Sequence, residues 1–322
     1  MPGDGIGPEV MQEAVRVIMA MRFDFAEMPF GGAAINEMNR PLPTHTLDAC
    51  KSAEVVLLGA VGGPAWESRS PRPEQGLIKL RKELDVYANL RPAVADGIDM
   101  LIVRELVGGI YYGGSGALED GRVFDTCVYT VKEVERIARR AFELARSRRG
   151  RLLSVDKANV LETSRMWRSV VTSLAGEYPD VELTHGLVDS VAMNIVMHPQ
   201  DFDVLVMDNM MGDILSDVAA GVTGGLGLAA SASLGDSGPG VFEPVHGSAP
   251  DIAGTGTANP TGMLRSVAMA LEYGIGEPAL ARSLEKAIDV ALEQAPTPDI
   301  GGSATTREFG DVVLANIEVP VA

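Results

Sequence analysis

Short apolar runs that stop abruptly at a charged residue or a glycine alternate along this chain with longer segments of helical spacing. Val55–Leu58 stops at Gly59, Leu101–Val103 at Arg104-Glu105, Leu152–Val155 at Asp156-Lys157, and Val204–Met207 just before Asn209. Apolar runs this short, without polar alternation, read as buried strands. Val181–Leu187 reads as a further strand. Helical spacing covers Pro8–Met21, Pro73–Leu84, Lys132–Arg149, Ser164–Ala175 and Val191–Met197, then Pro260–Tyr273, Pro278–Gln294 and Thr306–Ile317. Such alternation predicts an α/β fold with parallel or mixed sheets flanked by helices. With 322 residues the chain suits one large or two ordinary α/β domains. The glycine-rich stretches Gly221–Leu228 and Gly235–Gly240 are the expected crossover back from a second domain, and no internal repeat is visible.

Composition removes several function classes. A net charge of −17 argues against nucleic acid as a partner, because phosphate binding needs a basic surface. An anionic small molecule stays possible where arginines cluster. Two cysteines, Cys50 and Cys127, are too few for a disulfide framework or a cysteine zinc site, and both are expected to be inert. No apolar run approaches a membrane span. The chain opens on Met1-Pro2-Gly3-Asp4 with no visible signal or transit sequence, so a reducing cytoplasm is the expected location.

The densest chemistry lies in DVLVMDNMMGDILSD, Asp203–Asp217. A buried strand leads to a helix expected to start near Gly212. On that helix Asp213 and Asp217 share one face. Two stacked carboxylates repel unless a cation lies between them, and a hard divalent ion such as Mg²⁺ suits oxygen ligands. The plainer alternative is a pair of solvated surface aspartates. Asp189 follows another apolar run, and ligands of open α/β sheets gather at the carboxyl ends of strands. Lys157 lies at such an end and could serve as general acid or base, or only as a surface ion pair. Arg81, Arg91 and Arg104 lie along one region, and their forks could grip a substrate with two or more carboxylates. Each could instead pair with a local acid such as Glu105. GDGIG at Gly3–Gly7 precedes a helix but lacks both GxGxxG spacing and the P-loop lysine, so it is a weak phosphate motif. HGSAPDIAGTGTANP, His246–Pro260, packs small residues around His246, Asp251 and Asn259, which allows close backbone approach to a flat ligand. Asp251 could accept from ribose hydroxyls and repel a 2′-phosphate, favouring NAD over NADP. The alternative is a structural loop with a His–Asp hydrogen bond.

GDGIGPEV, GGIYYG, DKANVLETS, GDILSD, EPVHGSAPDIAGTGTANP and PTPDIGGSA together resemble the β-decarboxylating dehydrogenase family, which includes isocitrate, isopropylmalate, homoisocitrate and tartrate/malate enzymes. The likeness runs over almost the whole chain. It implies an isopropylmalate/isocitrate dehydrogenase-like two-domain fold with a cleft between domains. Residues 1–86 plus 224–322 would form a discontinuous nucleotide-binding domain, and 87–223 a dimerisation and metal-site domain. It also implies that Asp189, Asp213 and Asp217 bind Mg²⁺ or Mn²⁺. Arg81, Arg91 and Arg104, with Asp189, would meet the substrate. Tyr129 and Lys157 would be the acid–base pair. Gly62, Gly63, Glu74, Asn159, His246, Gly247, Ser248, Ala249, Asp251 and Asn259 would bind NAD. Glu74, Leu77, Ile78 and Val160 resemble the isopropylmalate subgroup, where apolar residues receive a branched substrate in leucine biosynthesis. The expected reaction is therefore NAD-dependent oxidative decarboxylation in a homodimer with shared active sites. A tartrate/D-malate-type enzyme is the alternative within the family, and a catalytically weak regulatory subunit the alternative outside catalysis. The chain departs from the family pattern twice. Only Met1-Pro2 precede GDGIG where relatives carry an apolar strand, which is expected to expose core and unpaired backbone groups. Arg91–Arg104 is also short, leaving the relation of those two arginines open.

Overall fold

The computed structural model describes residues 1–318. The chain divides into two compact units, one built from Met1–Asp85 and Gly224–Ala322, the other from Val86–Thr223. The first passage through the first unit carries α1 (Gly7–Ala20), α2 (Gly31–Met38), α3 (Thr44–Ser52), β1 (Val55–Leu57) and α4 (Pro73–Glu83). The second unit contributes β2 (Ala88–Ala95), β3 (Ile98–Glu105), β4 (Ser115–Ala117), β5 (Val123–Asp125), α5 (Val131–Ser147) and β6 (Arg151–Asp156). It continues with α6 (Glu162–Leu174), β7 (Glu182–Leu187), α7 (Val188–Met197), β8 (Val204–Met207) and α8 (Asn209–Val222). The chain returns to the first unit with β9 (Ala230–Leu234), β10 (Gly240–Pro244), α9 (Thr261–Met269), α10 (Pro278–Gln294) and α11 (Thr306–Asn316).

In the first unit β1 runs parallel to β10, and β10 antiparallel to β9. Its core is helical: Val10, Ala14 and Val17 of α1 pack with Leu264 and Val267 of α9, Leu284 and Ile288 of α10, and Phe309 and Val313 of α11. The α9 pattern was expected to run unbroken to Tyr273. Instead the helix widens to π geometry over Ala270–Ile275 and ends at Gly276, whose φ of 83° supplies the left-handed cap. Helices α2 and α3 were not expected, because Gly31-Gly32 and a polar THTLDACKS segment carry weak helical signals.

Exposed core and unpaired backbone were expected around the residues before GDGIG, but these residues are paired and Met1 is buried. Met1–Gly3 itself lies along β1: the Met1 ammonium donates to the Leu57 carbonyl at 2.9 Å, and the Met1 carbonyl accepts from Gly59 N at 3.0 Å. An apolar cavity of about 280 Å³ remains beside Met1, lined by residues that include Val15, Ile18, Phe23, Phe25 and Val56.

In the second unit β3, β8, β6 and β7 are mutually parallel neighbours in that order, and β2 adds antiparallel to β3. Met100, Ile102, Leu205 and Met207 of the sheet are buried against Val191 and Ile195 of α7 and Met211, Leu215 and Ala219 of α8. The short Arg91–Arg104 stretch resolves into a tight hairpin turned at Asp96-Gly97, with Gly97 at φ 72°. Its register sets Asn89 opposite Arg104 and Arg91 opposite Ile102. Asn89, Arg91 and Arg104 therefore share one face of the sheet. The crossover to the first unit falls at Thr223-Gly224, inside the first of the two glycine-rich stretches; the second, near Gly235–Gly240, is the β9–β10 turn.

Candidate active site

The second unit holds an arginine–aspartate cluster. Helix α8 starts at Asn209, three residues earlier than the sequence suggests, because Asp208 caps it by accepting from Met211 N at 2.8 Å. This sets Asp213 and Asp217 one turn apart. Arg91 Nη2 reaches Asp213 Oδ1 and Arg91 Nη1 reaches Asp217 Oδ1, both at 3.4 Å, while Nη1 also donates to Ser216 Oγ at 2.7 Å. Arg104 Nη1 donates to Asp213 Oδ1 at 2.5 Å, and Tyr111 Oη donates to Asp213 Oδ2 at 3.0 Å. Arg104 is only 2% exposed, so its charge is retained by these acceptors. Burial, together with the neighbouring Asp213 charge, raises the Asp217 carboxyl above its usual range, and Arg91 opposes the shift. The glycine of GDILSD is explained by packing: a Cβ on Gly212 would lie 2.6 Å from Arg104 Cγ.

Tyr129 is held in the same unit. Its ring meets Trp167 edge-on at 5.8 Å, and its Oη accepts from Asn209 N at 3.0 Å. The two glycines that open GGIYYG make room for it, since a Cβ on Gly109 would lie 2.3 Å from Tyr129 Oη. Burial first, then the Glu105 and Asp208 charges, holds the phenol well above its ordinary pKa, so it is protonated at neutral pH. Lys157 follows β6, whose end is fixed by an Arg168 fork on Asp156 at 2.8 and 2.9 Å. Its Nζ pairs with Asp189 Oδ1 at 2.5 Å, and that bond lowers the Asp189 carboxyl pKa. Asn159 and Val160 are exposed in the turn that follows. Glu105 does not pair with any of the three candidate arginines. It is buried, accepts from Val107 N and Gly108 N, and burial pushes its pKa up to about 7.

The first unit holds the other candidates. Glu74, Leu77, Ile78 and Arg81 fall on one stripe of α4, where Glu74 and Ile78 are exposed and Leu77 is half-buried. Arg81 Nη2 pairs with Glu243 Oε1 at 2.7 Å. Gly62 and Gly63 adopt φ of 98° and 144°, and a Cβ on Gly62 would lie 2.5 Å from Glu74 Oε1. GDGIG is a brace for these loops: Asp4 accepts from the backbone N–H of Gly32, Ala33 and Gly62, each at 2.9 Å, and Ile6 N donates to the Ser248 carbonyl at 2.8 Å. In the His246–Asn259 segment Ala249 takes a left-handed φ of 38°, and Glu9 accepts from Gly254 N and Ala258 N. Ser248 is buried and Asp251 exposed. No His–Asp hydrogen bond forms there. His246 Nδ1 meets the Gly247 carbonyl at 2.9 Å, and Nε2 is buried without a hydrogen-bond partner. Asn259 bridges Thr261 N and Asp299.

These residues suit the groups expected of them unevenly. Asp213 and Asp217 form an all-oxygen pair suited to Mg²⁺ or Mn²⁺. Among the described residues no group of three acidic, histidine or cysteine side chains gathers to hold a metal, so Asp189 does not join them within one chain. The buried, unsatisfied His246 Nε2 beside glycine-rich backbone fits a polar, flat cofactor. Sequence reasoning missed Asn209, Tyr111, Ser216 and Glu243. Glu243 begins the EPVHG motif and Asn209 follows the β8 run, but no local spacing says which charge each would meet.

Residues 1–313 match the family model described as isocitrate/isopropylmalate dehydrogenase. The chain belongs to this family. It is 51% identical to "3-isopropylmalate dehydrogenase" of Trichormus variabilis, covering 99% of this chain and 97% of that one. It is 49% identical to "3-isopropylmalate dehydrogenase 2, chloroplastic" of Arabidopsis thaliana, covering 100% of this chain and 87% of that one. Among solved structures, isocitrate dehydrogenase from Methylococcus capsulatus superposes with a TM-score of 0.91 at 38% identity, covering 98% of this chain and 97% of that one. The chain is thus a β-decarboxylating dehydrogenase by family, and no helix among its described residues is long and apolar enough to cross a membrane.

Proposed function

We propose that the protein oxidises and decarboxylates 3-isopropylmalate to 4-methyl-2-oxopentanoate and CO₂, with NAD as acceptor, in leucine biosynthesis. The observation that carries this reading is the meeting of Arg91 and Arg104 with Asp213 and Asp217 around one turn of α8. A dicarboxylate can take over the arginine forks while a divalent cation takes over the aspartates, so each replaces the partner the other loses. When bound, a divalent cation held by the aspartates would supply positive charge at the substrate hydroxyl, and NAD would supply the hydride acceptor.

Within this reading Arg81, Arg91 and Arg104 bind and orient the carboxylates. The amine form of Lys157 takes the C2 hydroxyl proton, and Asp189 orients its Nζ and stabilises the ammonium that results. Loss of CO₂ leaves the C–C electron pair on the remaining carbon as an enolate. Tyr129 returns a proton to that carbon, a role that suits a phenol held protonated by burial. Leu77, Ile78 and Val160 receive the apolar branch, and Glu74 borders it. Gly62, Gly63, Asn159 and the His246–Asn259 segment hold NAD, with Asp251 disfavouring a 2′-phosphate. The first unit serves as the nucleotide-binding domain and the second as the dimerisation and metal-site domain.

A homodimer completes this site. Support comes from the separation of Asp189 from the Asp213–Asp217 pair, and from apolar side chains left exposed in the second unit. These are Val123 and Phe124 of β5, Met193, Val196 and Met197 of α7, and Ile214 of α8. Lys157 and Asp189 of one subunit would serve the arginine–aspartate cluster of the other. Residence in the cytoplasm accords with the two free cysteines.

NADH formation with Mg²⁺, measured in parallel on 3-isopropylmalate, D-malate, tartrate and isocitrate, tests the reading. Preference for 3-isopropylmalate is expected. Preference for another acid would overturn the pocket assignment at Leu77, Ile78 and Val160. Silence on all four from a folded dimer would overturn catalysis.

A further inference from the structure

Asn209 spends both side-chain polar atoms and its backbone N–H on groups in and beside the candidate site. Its Oδ1 accepts from Arg104 Nε at 3.1 Å and Nη2 at 2.7 Å. Its Nδ2 donates to the carbonyls of Leu106 and Gly108, both at 3.0 Å. Its backbone N–H donates to Tyr129 Oη at 3.0 Å. The residue is 1% exposed. Only one amide orientation works, because exchanging O and N would set donors against the guanidinium and an acceptor against two carbonyls.

The two functions divide between side chain and backbone. The amide oxygen grips one edge of the Arg104 guanidinium at two nitrogens, which fixes the plane of the fork. Nη1, on the other side, remains directed at Asp213. The backbone N–H belongs to the first residue of α8, where the helix end favours negative charge. Because Tyr129 Oη accepts this bond, its own proton is left for transfer.

We propose that Asn209 is a positioning residue that sets the substrate-gripping arginine and the acid Tyr129 in one frame, its amide aiming Arg104 and its backbone N–H holding the Tyr129 oxygen. This rests on the functional reading above, with Arg104 a substrate ligand and Tyr129 the proton donor. Nothing in the sequence motif distinguishes Asn209 from an ordinary helix-start residue. Its role comes from the β2–β3 hairpin and the Leu106–Gly109 loop converging on the start of α8.

The test is Asn209→Ala in the intact protein, assayed beside wild type with 3-isopropylmalate, Mg²⁺ and NAD. The substitution removes the Arg104 grip and keeps the backbone N–H on Tyr129. KM for the hydroxy acid should rise about 10-fold or more, with kcat within about 3-fold and KM for NAD within about 2-fold. Repeating the change in an Arg104→Lys background separates aiming from general loosening. There the KM effect of Asn209→Ala should shrink to under about 2-fold, because no fork remains to be aimed. Equal KM effects in both backgrounds, or an unchanged KM in the first, would overturn the proposal. If the alanine variant does not fold, Asn209→Ser carries the same test, with an expected KM rise of about 5-fold and the same criterion in the Arg104→Lys background. Wild type inactive on all hydroxy acids would overturn the functional reading itself. An active wild type with an indifferent Asn209 would overturn only this inference.

Discussion

The arginine–aspartate cluster of the second unit and the glycine-rich loops of the first are both candidate binding regions, built by opposite means. Around α8 the work is done by charged side chains at 2.5 to 3.4 Å from one another, with Arg104 buried beneath them. Around Gly62 and His246–Asn259 the shape comes from backbone: positive φ at Gly62, Gly63 and Ala249, braced from beneath by Asp4 and Glu9. Charge recognition needs long side chains with fixed partners. Close approach of a flat cofactor needs side chains removed. The contrast predicts that substitutions in the two regions will fail differently.

The largest effects should come from the two residues proposed as the acid–base pair. Lys157→Ala and Tyr129→Phe should each lower kcat by about 10²- to 10⁴-fold, with KM for NAD nearly unchanged, in steady-state assays. Retained kcat in either would separate that residue from proton transfer. Next in size, Gly62→Val should raise KM for NAD by about 10-fold or more and leave KM for the hydroxy acid nearly unchanged. Its side chain would strike Glu74, and L side chains rarely adopt a φ of 98°. A rise in both constants would mean that the two regions are not independent. Smaller still, Asp251→Lys should shift the NAD/NADP preference by about 10-fold toward NADP, since it removes the charge proposed to repel a 2′-phosphate.

The smallest effect concerns pH and stability near the cluster. Glu105 has its pKa raised to about 7 by burial, whereas an unfolded Glu titrates near 4.3. The folded state therefore holds the extra proton, and this contribution is full at acid pH and is lost as pH rises toward 7. Relative to Glu105→Gln, wild type should lose about 1–3 kcal/mol of stability between pH 5 and 8, read from denaturant midpoints. A constant difference across that range would remove Glu105 from the titrating groups.

Much of the cluster was legible because its chemistry is carried by residue type and short spacing. Asp213 and Asp217 four apart on a helix, arginines at the ends of apolar runs, and Lys157 after a strand can all be read locally. Less of the loop region was legible. GDGIG read as a weak phosphate motif, yet Asp4 folds inward to tie three backbone N–H groups, a role visible only once Gly32, Ala33 and Gly62 are brought beside it. The helix start near Gly212 was misplaced because Asp208 and Asn209 look like loop residues until the cap forms. The alternative of a local acidic partner held for Arg91 and Arg104 with Asp213 and Asp217, but not with Glu105. Glu105 lies next to Arg104 in sequence, but adjacent residues of a strand face opposite sides of the sheet. Arg104 therefore turns to Asn209 and Asp213, and Glu105 to the backbone of Val107 and Gly108.

The sequence by itself determined the α/β class, most strands and helices, the membership suggested by long ordered motifs, and the kinds of side chain available for chemistry. These depend on periodicity and residue type, which are local properties. The tertiary structure alone decided which charges meet. The β2–β3 hairpin, eight residues in each strand, put Arg91 and Arg104 on one face over α8, packed Gly212 against Arg104, and brought Asn209 to both Arg104 and Tyr129. Hydrogen bonds and ion pairs act over a few ångströms, and partners 80 to 126 residues apart in the chain reach that range only after the sheet has set its register.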